Sequence, residues 1–325
     1  MNTNLDMDWT GNQGLSDSEL MNIASGCGYD ITIGANNGEE IRRANQTKPW
    51  PNDQEVNSIL SESTKEESSK DRYLTFTVLG NKVGSISLTT TMSTPPSIQY
   101  SLDNGETWED YIFGDGKLEG TGFLELNSGD SVKFKGNNTS LTSMGGKAIT
   151  KFAIPESMAA SGDVTSLLNG IGGDCELTEY CFCDLFNGCT GLVEAPQLPS
   201  TILADGCYRS MFADCTGLVE APQLPATTLA NSCYFYMFLG CISLVEAPEL
   251  PATTLARGCY YYMFQSCTGL NYIKCLATDI SADICTSSWV SGVSGSGIFV
   301  KAPNMNSWTT GDSGIPSGWT IEDNN

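Results

Sequence analysis

Short runs in which apolar and polar residues alternate begin at Tyr73. They read YLTFTVL, VGSISLTTT, SIQYSL, TWEDYIF, GFLEL, SVKFKG and AITKFAI, and Gly, Asn, Asp and Pro separate them. An alternation of period two places one set of side chains on each face of a strand. Short strands separated by turn residues are typical of antiparallel sandwiches. Residues 72–155 are therefore predicted to form an antiparallel β-sandwich.

A second pattern, with a period of 26 residues, follows. Copies start at residues 181, 207, 233 and 259, and the third reads CYFYMFLGCISLVEAPELPATTLARG. A fixed period of this length indicates a solenoid, in which each copy covers the apolar face of its neighbour. The predicted fold class is mixed β and α/β. Residues 156–285 form the repeat domain, which begins with an irregular N-terminal cap, and 286–325 form a C-terminal cap.

Each copy opens with a nine-residue segment that begins and ends with a cysteine, and the spacing predicts that this segment is a short helix. At 100° per residue, Cys233, Met237 and Cys241 share one face, and Tyr234 and Phe238 extend it. The same types recur at these positions in all four copies, whereas the other positions vary freely. The constant positions are thus predicted to be buried and the variable ones to face solvent.

Four aromatic residues occupy positions that this pattern assigns to solvent. They are Phe235 and Tyr236 in the third copy and Tyr261 and Tyr262 in the fourth. Aromatic rings contribute large contact area at low entropic cost, in contacts with sugars and proteins alike. These four residues, with Arg209 of the second copy, are the predicted ligand contacts. The alternative is that the rings pack on a neighbouring subunit or on the C-terminal cap.

The segment Leu-Val-Glu-Ala-Pro follows the second cysteine and is predicted to be a short parallel strand stacked from copy to copy. Glu194, Glu220 and Glu246 would then form a column of like charges. We interpret this column as a solvated acidic ridge, and the alternative is a cation site between the copies.

The composition restricts the function. The chain has 38 acidic and 16 basic residues, a formal charge of −22 and no histidine. This charge opposes binding to nucleic acid and to anionic membrane surfaces. The absence of histidine removes the commonest general base and metal ligand. We expect neither an enzyme nor a cofactor or metal, and the chain lacks an apolar run long enough for membrane insertion.

The chain has 13 cysteines, and the eight at the paired positions of the repeats are expected to be core residues. An odd number argues against complete internal pairing. In a helix, two residues eight positions apart are ~12 Å apart, too far for a disulfide. The spacing also differs from that of a zinc knuckle, and a thiol without a histidine or basic partner is a poor nucleophile. Disulfides between copies remain open.

Residues 1–71 are polar and acidic and are interpreted as an arm or anchoring segment. The stretch from Asn52 to Asp71 could form a short helix. Trp9, Tyr29 and Trp50 are the candidate apolar anchors for docking on a partner. The start of the sequence has neither the basic residues nor the apolar run of a signal peptide. We therefore expect export by another route, or removal of the signal from this sequence.

The stretch SLDNGETW, from Ser101 to Trp108, matches the pattern of an Asp box. Sialidases carry several such boxes together with an arginine cluster, whereas this chain has one box and few arginines. We interpret Asp103 as a residue that stabilises its own turn. A glycosidase-like enzyme, which would require a pair of carboxylates in a cleft, is the remote alternative.

The repeat unit, C-Y-x-x-M-F-x-x-C-T-x-L-V-E-A-P-x-L-P-A-T-T-L-A, resembles the BspA-like leucine-rich repeat. That repeat occurs in surface proteins of gut anaerobes of the Bacteroides group and in virion proteins of their phages. The resemblance extends from Tyr73, through YSLDNGETW, to the closing segment that contains GIFVKAPNMNSWTTGDSG. It implies a non-enzymatic protein for adhesion or receptor recognition. It leaves the ligand open.

With the missing signal peptide, this resemblance predicts a virion surface protein, either a phage fibre or a head-decoration protein. The N-terminal segment would attach to a capsid or tail protein, and the repeats would bind a host cell-surface protein or glycan. A homotrimer is expected only by analogy with fibres. The alternative is a secreted or surface-anchored bacterial adhesin of the same family.

Overall fold

The structure is a computed structural model. It describes the backbone of residues 30–33 and 41–44 and residues 72–113, 123–303 and 305–324. The chain divides into two compact units, Met1–Ser69 and Lys70–Asn325. In the first unit, β1 (Asp30–Ile33) pairs antiparallel with β2 (Ile41–Ala44), which the sequence did not predict. The proposed anchors Trp9, Tyr29 and Trp50, and the helix expected after Asn52, lie outside the described residues.

The second unit consists mainly of β-strands. One α-helical turn, α1 (Ser166–Asn169), and one 3-10 turn (Met144–Gly146) are the helical elements in the described part of this unit. Its strands are β3 (Leu74–Val78), β4 (Gly84–Thr90), β5 (Ile98–Ser101), β6 (Glu109–Asp110), β7 (Phe123–Leu126), β8 (Ser131–Gly136), β9 (Thr150–Ala153), β10 (Met158–Ser161), β11 (Leu192–Glu194), β12 (Tyr272–Cys275), β13 (Ile298–Lys301) and β14 (Thr320–Asp323). The predicted β-rich fold is confirmed, and each of the seven alternating runs contains a strand.

Strands β3 to β10 form two sheets over a common core. In the larger sheet, which has the order β11-β10-β3-β8-β5-β6, every neighbouring pair is antiparallel except β10–β11. The smaller sheet, β7-β4-β9, is antiparallel. Phe76 and Phe134 of the larger sheet lie 5.2 and 5.3 Å from Phe152 of the smaller one, measured between ring centroids. The alternation buries these rings because it directs every second side chain inward.

Packing continues across residue 155 into the repeats. Strand β10 lies in a segment that the sequence assigns to the irregular cap. It pairs antiparallel with β3 and parallel with β11 of the first copy. The ring of Phe152 stacks on Phe186 of the first copy. The sheets and the repeats therefore share one hydrophobic core.

The nine-residue segments of the repeats are not helices, and the helix prediction is wrong. Within Cys233–Cys241, the N–H groups of alternate residues donate to the carbonyl three residues earlier, as from Met237 to Tyr234. The N–H groups between them donate to the next copy, as from Phe238 to Met263. The backbone enters the left-handed region at every fourth residue, which here is Ser232, Tyr236 and Gly240. We call each such nine-residue segment a rung. Its backbone forms consecutive turns and is hydrogen-bonded to the corresponding segments of the neighbouring copies.

The predicted buried face is nevertheless correct, whereas the prediction that the variable positions face solvent is wrong for Cys183 and Ala213, which are 3 % and 2 % exposed. Cys233, Tyr234, Met237, Phe238 and Cys241 are all at most 2 % exposed. A four-residue period and a 3.6-residue period select almost the same positions over nine residues, so burial alone cannot distinguish the two conformations. The hydrogen bonds between copies supply the partners that a helix would supply internally.

Aromatic rings form two columns through the rungs. One column contains Phe152, Phe186, Phe212, Phe238 and Phe264, and the other contains Phe182, Tyr208, Tyr234 and Tyr260; neighbouring rings in both are stacked. Trp289 lies 6.0 Å from Tyr260 and 6.1 Å from Phe264 and joins both columns, and the ring of Trp308 stacks at 5.6 Å on that of Trp289. The indole N–H of Trp289 donates to the Gly314 carbonyl, which anchors the closing segment.

Trp289 belongs to a fifth rung, which the sequence did not predict: the predicted bounds put Cys285 at the end of the repeats and Trp289 in the C-terminal cap. Ile284, Ser288 and Gly292 repeat the left-handed positions of the earlier rungs. The N–H of Tyr260 donates to the Cys285 carbonyl, as in the other copies. Only the 26-residue offset between Cys259 and Cys285 signals this rung, because the residues after Cys285 diverge. Strand β12, which precedes this rung, forms a parallel sheet with β13 and β14, which follow it.

Candidate functional site

The structure brings the four outer aromatic rings together on one side of the third and fourth rungs. Phe235 stacks on Tyr261 at 4.6 Å, and Tyr236 stacks on Tyr262 at 5.1 Å. Within each rung the two rings meet edge to face, at 4.4 Å for Phe235 and Tyr236 and at 4.2 Å for Tyr261 and Tyr262. All four are half-buried. They form a compact cluster, since each ring contacts a neighbour along its rung and a neighbour across rungs.

Arg209 extends this cluster into the second rung. Its guanidinium carbon lies 4.7 Å from the centroid of the Phe235 ring, in cation–π geometry. The column therefore runs Arg209, Phe235, Tyr261. The five predicted ligand contacts thus lie together, and we call them the outer aromatic surface.

Two tyrosines of this surface have a backbone conformation that bulky residues rarely adopt. Tyr236 has φ 58° and Tyr262 has φ 54°. The same position in the other rungs holds small polar residues, Asp184, Ser210 and Ser288. The left-handed conformation costs a non-glycine residue about 1–2 kcal/mol. Tyrosine is an unfavourable choice for this backbone, so its ring or hydroxyl must serve another purpose.

Other bulky residues with positive φ have an evident packing role. Tyr180 and Ile284 precede the first and the fifth rung. A Cβ atom on Gly206 would lie 2.5 Å from the Tyr180 ring, and one on Gly258 would lie 3.6 Å from Ile284. These two side chains therefore cover glycines of the adjacent rung. Tyr236 and Tyr262 instead pack mainly on rings of the surface itself.

The hydroxyl groups add polarity to the outer aromatic surface. A hydrogen bond with Tyr262 raises the pKa of the Tyr261 hydroxyl above its usual value. The Tyr261 hydroxyl therefore stays protonated at physiological pH, and a tyrosine hydroxyl can both donate and accept hydrogen bonds. The surface thus combines apolar ring area, hydroxyl groups and one cation.

The Asp box is engaged within its own hairpin. Asp103 Oδ1 accepts from the N–H of Thr107 at 2.9 Å, and Oδ2 accepts from the Thr107 hydroxyl at 2.6 Å. These bonds lower the pKa of Asp103 to about 2. The indole of Trp108 donates to the Gly105 carbonyl and lies under the Lys135 ammonium. This geometry accounts for the motif as a turn-stabilising element.

The cysteines of the repeats lie in the core. The described part of the chain contains twelve cysteines, all of them free thiols; Cys175 is half-buried and the others are buried. Burial raises the thiol pKa of Cys189, Cys207 and Cys267 to about 12, so these groups remain protonated. The second cysteine of a rung donates its S–H to the preceding rung, as from Cys241 to the Phe212 carbonyl at 3.1 Å.

The glutamate column is exposed. Glu194, Glu220 and Glu246 all face solvent, and Glu194 pairs with Glu220 as a parallel bridge. Of the strands expected for these segments, the structure forms β11 in the first copy and isolated bridges in the others. Among the residues that the structure describes, His, Cys, Asp and Glu side chains do not form a group of three able to hold a metal ion.

Comparisons with protein-family models, curated proteins and solved structures find no match to this chain. The outer aromatic surface must therefore be interpreted from its own geometry. A search of the described residues for a helix long and apolar enough to cross a membrane is negative.

Proposed function

We propose that this chain is a non-enzymatic virion surface protein, a phage fibre or head-decoration protein that recognises a host-surface protein or glycan. We further propose that residues 72–155 form a β-sandwich and that the repeats are a leucine-rich-repeat solenoid of the BspA-like kind. The motif resemblance supports this family. The rungs support it too, since each bonds to the next.

The observation that carries the recognition role is the outer aromatic surface. Four rings and one guanidinium converge on the variable side of the repeats, and two of the rings are on backbone that disfavours them. Clustered aromatic residues and arginine are the residues that contribute most to binding energy at interfaces. The core of the rungs does not require them, because the first two rungs have other residues at these positions.

Attachment through the N-terminal unit is the second part of the proposal. Met1–Ser69 forms a compact unit separate from the one that holds the repeats. We propose that Trp9, Tyr29 and Trp50 contact a capsid or tail protein, which would leave the repeats available to the host.

Adsorption to cells tests the recognition role. The purified chain, labelled with a fluorophore, is mixed with a panel of Bacteroides-group strains, and bound label is measured. Replacing Phe235, Tyr236, Tyr261 and Tyr262 together by Ser should abolish adsorption, whereas Phe123→Ser, at an exposed position on β7, should not. Circular dichroism must show both variants folded. Adsorption of the fourfold variant at the wild-type level would refute the recognition role.

Location is tested separately. Mass spectrometry of purified virions should detect the chain in constant proportion to the capsid protein. Recovery from the bacterial envelope in cells that carry no phage would instead identify the adhesin of the alternative proposal, which would use the same surface.

A further inference from the structure

The outer aromatic surface contains two stacked pairs of rings, Phe235 on Tyr261 and Tyr236 on Tyr262. Both stacks end at the fifth rung. The rungs place Ser287 after Tyr261 and Ser288 after Tyr262, as shown by the hydrogen bond from the Tyr262 N–H to the Ser287 carbonyl. A serine side chain is too short to cover an aromatic ring. Among the described residues, no ring stacks on the sides of Tyr261 and Tyr262 that face these serines, whereas their opposite sides stack on Phe235 and Tyr236. The two stacks therefore end in a step, by which we mean the ring faces of Tyr261 and Tyr262 that Ser287 and Ser288 leave uncovered.

Arg209 forms the other end of the surface. Within the described residues its side chain makes no ion pair or hydrogen bond, although the chain has more than twice as many acidic as basic residues. Asp184, on the preceding rung, accepts instead from Asn187 at 2.8 Å and from the Cys183 thiol at 3.2 Å. Arg257 and Lys274, by contrast, are paired with Asp283 and Glu249. Contact with Phe235 leaves the N–H groups of Arg209 available for an external anion.

From these two ends we infer that the outer aromatic surface binds a carboxylate-bearing glycan. A carboxylate pairs with Arg209, and a sugar ring of the same chain stacks on the exposed faces of Tyr261 and Tyr262 above Ser287 and Ser288. This inference rests on the proposed recognition function and specifies its ligand class. At ~4.8 Å per rung, the two rungs from Arg209 to Tyr261 span roughly 10 Å. The ligand must therefore be an oligosaccharide and not a single sugar.

The chemistry of the surface favours a glycan over a protein partner. Guanidinium groups bind carboxylates with two parallel hydrogen bonds, which gives directional recognition. The Tyr236 hydroxyl lies between the two ends, and it can donate to and accept from the hydroxyl groups of a sugar chain. A narrow row of rings that ends in a step suits a slender chain better than a broad protein face.

Electrophoresis in native gels that contain a polysaccharide tests this inference. The gels contain polygalacturonate, hyaluronate or polysialic acid, or neutral dextran, at 150 mM salt. Screening at this ionic strength limits repulsion by the negative chain to about 8 Å, so retardation reports local contacts. At least one acidic polysaccharide should retard the wild type, and dextran should not. Failure of all three acidic polymers to retard it would refute the inference.

Variants locate the site. Arg209→Ala should raise the dissociation constant for the retarding polymer at least tenfold, and Arg209→Lys should have an intermediate effect. Arg257→Ala removes the same charge from a paired, exposed position and should change nothing. Ser287→Tyr should extend the stack, cover the step and weaken binding while Arg209 remains in place. Equal effects of Arg209→Ala and Arg257→Ala would show nonspecific charge attraction and refute the site.

Cell adsorption separates this inference from the proposed function. If the fourfold Ser variant loses adsorption, but Arg209→Ala and added acidic polysaccharide leave it unchanged, recognition by the surface stands and the glycan is wrong. Adsorption that is abolished by protease treatment of the cells and resists the polysaccharide would identify a protein ligand and also overturn the inference.

Discussion

The ring of Phe152 stacks on the ring of Phe186 with centroids 5.3 Å apart and planes inclined by 22°. Phe152 lies on β9 of the smaller sheet, and Phe186 lies in the first rung. The Phe152 N–H also donates to the Leu185 carbonyl, and the Cys189 thiol donates to the Phe152 carbonyl. Strand β9 therefore contacts the first rung through ring stacking, a backbone hydrogen bond and a thiol hydrogen bond, the same kinds of contact that join successive rungs.

This contact predicts that the sheets and the repeats unfold together. Phe186→Ala should lower the free energy of unfolding by about 3–5 kcal/mol, the usual cost of truncating a buried phenylalanine. Tryptophan fluorescence and far-ultraviolet circular dichroism should report the same urea midpoint. Phe123→Ala, at a 58 % exposed position, is the control and should have little effect. Two separate transitions in the wild type would contradict a shared core.

The left-handed tyrosines predict an unequal response to glycine. Tyr261→Gly and Tyr262→Gly each remove one ring of the outer aromatic surface, but only Tyr262 has positive φ. Glycine adopts that conformation freely, so Tyr262→Gly should be less destabilising by about 1–2 kcal/mol. Urea denaturation of both variants measures this difference. Equal losses of stability would show that the backbone at Tyr262 is not strained.

Asp103 predicts a specific acid sensitivity. Its pKa in the folded chain is about 2, whereas the ordinary value is 3.8. A carboxyl group whose pKa is lower in the folded than in the unfolded chain stabilises the fold at pH values above its unfolded pKa. This contribution disappears as the pH falls through the folded pKa. The urea midpoints of the wild type and Asp103→Asn should therefore differ at pH 6 and converge as the pH falls from about 4 to about 2. A difference that is independent of pH would contradict the role of the carboxylate.

The buried thiols predict protection from alkylation. The high pKa of Cys189, Cys207 and Cys267 keeps them protonated at pH 8, and burial keeps reagents away. Iodoacetamide should label the half-buried Cys175 before any cysteine of the rungs, as mapped by peptide mass spectrometry. Addition of denaturant should expose all of them. Rapid labelling of Cys233 or Cys241 in the native chain would show that the rungs open.

Local patterns were sufficient to predict many features of this chain. Alternation at period two located the strands from β3 to β9, because a strand exposes its two faces to different surroundings. The 26-residue period located four rungs, and comparison of the copies separated buried Cys233 and Phe238 from half-buried Phe235 and Tyr236. These features depend on residues within one strand or one repeat, so the order of residues alone reveals them.

Contacts between distant residues decided the rest. The nine-residue segments form turns and not helices because half of their N–H groups bond to a carbonyl 25 residues later, a partner that a helical pattern does not reveal. Strand β10 joins the sheets to the repeats, and Trp289 belongs to a fifth rung whose residues diverge from the repeat. Only stacking of successive rungs places Arg209 over Phe235 and ends the two stacks at Ser287 and Ser288. The sequence by itself determined the buried face of the rungs, and the tertiary structure decided which outer side chains meet, because the backbone pairs residues one repeat apart.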